Sequence, residues 1–199
     1  LCVIIFPDTT APQHHGTTAI DHPDTYIDQW AIVDSLTKAG LPRSALKIVQ
    51  EIYEQAKKEN NDPQFIKSVL YRIKLQSDFQ ENFPIPAIQE VKQELTDAGS
   101  PVSQLLHSIL GELYWTYYQR NEYLFGNRSF IPGSDPDDPE TWDHTTLIYN
   151  IIEQYKLSLS EIMLLRDIPV EHYQAIMTMP FPEQNDTNLT PVYRPTLFD

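Results

Sequence analysis

The chain has 199 residues, 41% hydrophobic and 21% charged, which is enough apolar material for one domain with a buried core. Its 28 acidic against 14 basic residues leave a net charge of −14, which sets aside nucleic acid and anionic membrane surfaces, since both would repel it. No stretch reaches the roughly 20 apolar residues that a membrane span requires, so no transmembrane segment is expected.

The chain opens on "LCVIIF", apolar throughout, followed by "PDTTAPQHHGTTAIDHPD", which has no periodicity. That order reads as the end of a signal-peptide apolar core running into an unstructured lead over residues 1–23, rather than as a buried strand with no hairpin partner nearby. Export is the corollary. The start at Leu1 and the stop at "RPTLFD" both read as cuts from something longer. Cys2 is the only cysteine, so neither an intrachain disulfide nor a cysteine-based zinc site can form. The apolar residues after Cys2 argue against a lipidated start.

From Asp24 the apolar spacing becomes helical. Ile27, Trp30, Val33 and Leu36 make one stripe, closed by Gly40, a residue suited to a left-handed stop. Pro42 suits a first helical turn, and Ala45, Val49, Ile52 and Ala56 form the next stripe. "NDPQF" restarts the pattern with Asp62 as N-cap and Pro63 behind it; Phe65, Val69, Leu70 and Ile73 point inward. Ile88, Val91, Leu95 and Ala98 mark a fourth helix, and Ser100-Pro101 opens a long fifth. After the loop "GNRSFIPGSDPDDPETW", Ile148, Ile151, Ile152 and Tyr155 define a sixth. Ser160 and Asp167-Ile168-Pro169 begin two shorter ones, and residues 180–199 are loop or linker toward a further C-terminal part. The expected fold is all-α: about six main helices and two short ones over 24–179, in an array of antiparallel hairpins. The array resembles tetratricopeptide stacks or an irregular bundle, although the strict repeat of about 34 residues is not visible.

The aromatic run "GELYWTYYQRNEYLFGNR" poses a choice between a stacking platform and a packed interior. His107, Gly111, Tyr114 and Tyr118 share one stripe with Leu106, Ile109, Leu110, Leu113 and Tyr117 beside it, and Trp115 lies round the corner. Apolar groups then cover most of the circumference, whereas a platform for bases would interleave basic residues. The run is expected to pack, with Gly111 admitting a close neighbour.

No phosphate-binding glycine loop, nucleophile elbow or H-E-x-x-H pair occurs. His107 and Ser108 are adjacent, so on a helix they diverge and make no catalytic pair. Asp135, Asp137, Asp138 and Glu140 supply hard oxygens of the kind calcium prefers, but prolines break any EF-hand pattern, and a solvated loop with Thr141 or Asp143 capping the next helix fits as well. His14 and His15 lie in the lead. The Asn127, Asn185 and Asn188 sequons matter only in a eukaryotic secretory pathway. No cofactor, catalytic residue or firm metal site is expected.

The phrases "WAIVDSLTKAGLPRSALKIVQEIYEQAKKENN", "LLHSILGELYWTYYQRNEYLFGNRS", "TWDHTTL" and "RPTLFD" together resemble the N-terminal helical region of large alpha-2-macroglobulin-like proteins of Bacteroidetes bacteria, in the same order, from Tyr26 to Asp199. The resemblance implies a secreted, cell-envelope protein, periplasmic, outer-membrane-associated or extracellular, whose whole chain is an endopeptidase inhibitor. The partners it implies are macroglobulin domains further along the same chain and, for the full protein, target proteases. The thioester motif of some members, Cys-x-Glu-Gln, is absent here, because Cys2 precedes Val-Ile-Ile. The matching residues Trp30, Leu36, Gly40, Pro42, Ala45, His107, Trp115, Tyr118, Arg128, Trp142 and Asp143 read as packing, turn and capping positions. They would hold the module together or dock it onto its neighbour. A stand-alone helical module for protein–protein interaction, binding peptides in a groove, is the other reading.

Overall fold

The computed structural model describes residues 25–80, 83–125, 128, 135, 137–176 and 197. The apolar run with Cys2, the His14–His15 pair, the three sequons and the proline-rich tail lie outside the described residues, Leu197 excepted. The described residues are all-α, with no strand among them. They divide between two compact units, one built on residues up to Phe79 together with the stretch from Pro169, the other on Gln80–Ile168 with the extreme C-terminus.

The first unit holds α1 (Thr25–Lys38), α2 (Pro42–Glu59) and α3 (Asp62–Ser77), followed by a 3-10 stretch, Val170–Ile176, that packs on α3. Gly40 ends α1 with φ +71, and the Leu41 N–H reaches the Leu36 carbonyl at 2.9 Å while Gly40 N–H reaches Thr37 at 3.0 Å. Those two bonds satisfy carbonyls that the helix end leaves open, in a conformation that costs glycine nothing. Asn60 (φ 53) closes α2 the same way, with the Asn61 N–H on the Ala56 carbonyl.

The α1 stripe differs from the expected one. Tyr26, Trp30 and Val33 are buried, and Ile27 is 56% exposed. Tyr26 turns inward because its hydroxyl donates to Glu59 Oε2 at 2.7 Å, tying the start of α1 to the end of α2. Burial and the neighbouring carboxylate push the phenol up, and the same bond holds the Glu59 carboxyl below its usual range. The α2 stripe of Ala45, Val49, Ile52 and Ala56 is buried as its spacing predicts. The N-cap of α3 is Asn61, not Asp62: the Asn61 side chain accepts from the Gln64 N–H at 3.3 Å, and Asp62 is already the first helical residue. Ile66 and Leu75 join Phe65, Val69 and Ile73 in the core, and Leu70 is half-buried.

The second unit holds α4 (Ile85–Leu95), α5 (Val102–Phe125), a 3-10 turn at Pro139–Thr141, α6 (His144–Ser158) and α7 (Ile162–Asp167). The α5 and α6 helices run antiparallel, because Gln104 meets Ser160, His107 meets Gln154 and Tyr118 meets His144. Gly111 sits at their closest approach. A Cβ there would lie 3.1 Å from the Tyr155 ring, so hydrogen at this position lets the two backbones close. On α6 the buried residues are Leu147 and Ile151; Ile152, expected inside, is 47% exposed.

Candidate docking surface

Several residues singled out by sequence make identifiable contacts. Trp30 joins α1 to α3: its indole N–H donates to Gln64 Oε1 at 2.7 Å, and its ring lies 4.6 Å from that of Tyr71. The Lys67 ammonium sits 4.2 Å from the Trp30 centroid. Burial lowers the Lys67 amine, with the Asp34 charge opposing, and pushes the Tyr71 phenol up to about 12. This is a cation held against two rings, a packing arrangement in which the aromatic faces offset part of the lysine's desolvation. Gly40 and Pro42 make the α1–α2 turn, Pro42 in the first turn of α2, where its missing N–H removes no helical bond.

In the second unit His107 packs across the α5–α6 seam, its Nδ1 2.7 Å from Gln154 Oε1. Beside it Gln104 Nε2 donates to Ser160 Oγ at 3.1 Å, and one turn along the Tyr155 hydroxyl donates to Glu112 at 3.1 Å. Burial and then the Glu112 charge raise that phenol to about 12. Asp143 is the N-cap of α6, accepting from the Thr146 N–H at 2.8 Å, and its bonds to Thr146 hold the carboxyl below the usual range. Thr141, the other capping candidate, closes the preceding 3-10 turn instead. The Trp142 ring packs 5.2 Å from Tyr114, and Arg128 donates to the Trp142 carbonyl at 3.3 Å while lying 5.1 Å from the Phe125 ring.

The aromatic run is not uniformly interior. Tyr114 and Tyr117 are buried at 2% and 4%, whereas Trp115 is 37% exposed, Tyr118 is half-buried and Tyr123 is 76% exposed. The physical reason is the helix circumference: Leu106, Leu113 and Tyr117 mark the core side, and Trp115 lies nearly opposite them. Trp115 stacks instead on its own helix, 5.4 Å from Tyr118, which continues to His144 at 5.5 Å. On α6 and α7, Tyr149, Ile152, Leu157, Ile162 and Met163 are also exposed.

The acidic loop uses its oxygens internally. Asp135 Oδ1 accepts from the Asp137 N–H at 2.8 Å, Asp138 Oδ1 accepts from the Glu140 N–H at 2.9 Å, and Asp137 pairs with Lys92 at 2.6 Å. Among the described residues no group of three or more His, Cys, Asp or Glu side chains is placed to hold a metal ion, so Asp135, Asp137, Asp138 and Glu140 do not assemble as a calcium site. No described helix is long and apolar enough to cross a membrane. Sequence reasoning did not find the Gln104–Ser160 and Glu112–Tyr155 pairs or the Lys67 stack, whose partners are far apart in the chain or unremarkable in type.

These surfaces present exposed aromatic and aliphatic groups on helices. No family model, curated protein or solved structure matches the chain.

Proposed function

We propose that this chain is a non-catalytic helical module that docks other protein segments, and that it belongs at the N-terminus of an exported alpha-2-macroglobulin-like endopeptidase inhibitor. The observation that carries the reading is the ordered series of phrases from Tyr26 to the terminal "RPTLFD", whose distinctive residues fall on turns, caps and interhelical contacts. Gly40 and Pro42 form a turn, Asp143 caps a helix, and Trp30, His107 and Trp142 join helices. Residues of that kind maintain a scaffold, and the inhibitory chemistry would reside elsewhere in the full chain.

The test is protease trapping by the intact protein. Incubated with a general endopeptidase, it should block cleavage of a protein substrate while a small peptide substrate is still turned over. Unhindered cleavage of both would refute the inhibitor reading. A second reading, a stand-alone peptide-binding helical module, is favoured by the exposed Tyr149, Ile152, Ile162 and Met163, which are more apolar surface than a scaffold alone requires. Peptide capture by the isolated helical region, with no role in protease trapping, would support it.

A further inference from the structure

The described residues repeatedly place their own cations over aromatic rings. Lys67 lies 4.2 Å from the Trp30 centroid, Arg72 4.5 Å from Tyr53, Arg43 5.3 Å from Phe79, and Arg120 5.1 Å from Phe83. Among the described residues no cation lies over Trp115 or Tyr118, although Trp115 is the most exposed of the tryptophans at 37%. The two rings stand 5.4 Å apart at 35°, with Trp115 on the exposed side of α5 and the half-buried Tyr118 running on to His144 of α6. One helical turn to either side of Trp115 stand Glu112 and Gln119, and Glu122 is exposed just past the Asn121 bend. Glu112 already accepts from Tyr155, which holds its carboxylate at the α5–α6 contact.

We propose that the Trp115–Tyr118 face of α5 receives an arginine side chain from a basic segment of a protein partner. A guanidinium is planar and weakly hydrated, so it can lie against the indole and still donate to a neighbouring carboxylate or amide. Charge complementarity selects this occupant: a chain of net charge −14 attracts a basic segment and repels the phosphates that accompany stacked bases. A neutral sugar would gain the stacking and hydrogen bonds from its hydroxyls to neighbouring carboxylates, but nothing from the net charge. The proposal rests on the docking reading and is independent of the macroglobulin resemblance, so its failure leaves the trapping test unaffected.

The experiment uses a dye-labelled peptide of alternating arginine and glycine, titrated against the whole chain by fluorescence anisotropy at physiological ionic strength. Trp115→Ala should weaken binding about two- to fivefold, Trp115→Phe should fall between it and the parent, and Glu122→Gln should weaken binding while reducing its salt dependence. Thermal melts confirm that each variant is folded, and Trp115→Phe keeps the comparison available should the alanine variant unfold. Equal binding by parent and Trp115 variants would overturn the proposal, because net charge alone would then explain the association. So would the absence of saturable binding, or tighter binding of a neutral oligosaccharide that is lost with the same variants.

Discussion

Gly111→Val tests the closest helix–helix contact. A first methyl at this position meets the Tyr155 ring at 3.1–3.3 Å, a few tenths of an ångström too close. Alanine here gains about 1 kcal/mol of helix propensity over glycine, against a small displacement of a half-buried ring, so Gly111→Ala should lie within about 1 kcal/mol of the parent. Valine drives two further methyls toward the ring. Overpacking of that kind costs about 1–3 kcal/mol, and moving the ring also sacrifices the Tyr155–Glu112 hydrogen bond, worth about 1 kcal/mol. The expected loss is about 2–4 kcal/mol, read from urea unfolding followed by circular dichroism. Combining Gly111→Val with Tyr155→Ala should shrink the cost of valine to less than about 1 kcal/mol, because the obstructing ring is gone. If valine costs the same with and without the Tyr155 ring, the α5–α6 contact described here is wrong.

The aromatic run supplies a graded comparison by the same unfolding assay. Tyr114→Ala should cost about 3–5 kcal/mol as a core truncation, and Trp115→Ala only about 1–2 kcal/mol because its ring is partly in water; the reverse order would overturn the burial assignment. Asn61→Ala should lose about 1 kcal/mol with its cap, while Asp62→Ala changes stability by less than about 0.5 kcal/mol, a difference visible in paired thermal melts. Asp143 makes a pH prediction. Its folded carboxyl is held below the ordinary range, so its contribution is fully present above about pH 4 and disappears as pH falls through the lower folded value. Asparagine caps without titrating, so the stability advantage of the parent over Asp143→Asn should narrow in acid; a gap independent of pH between neutrality and pH 3 would contradict it.

The helices were legible because their apolar residues recur at helical spacing between strong stop and start signals. Gly40, Pro42 and Asp143 each act as their residue type suggests. What the sequence left ambiguous were ties between neighbours. Tyr26 and Ile27 fit the α1 stripe equally well, and the choice is made by Glu59, 33 residues away. Asn61 and Asp62 are both good caps, and the helix opens one residue earlier than the proline suggested. The spacing puts Trp115 round the corner from the leucines, and its partial exposure follows from that angle rather than from the packing expected of the run as a whole. The His107–Gln154 contact spans 47 residues and depends on the register of α5 against α6, which no local pattern fixes.

The most direct test of the central claim, that this is the helical entry module of a macroglobulin-like inhibitor, is to sequence the complete reading frame that encodes these residues. The expected result is a Met-initiated export signal upstream and a long series of β-rich domains downstream of Asp199. A stop codon shortly after Asp199 would contradict it and leave a small helical docking protein in its place.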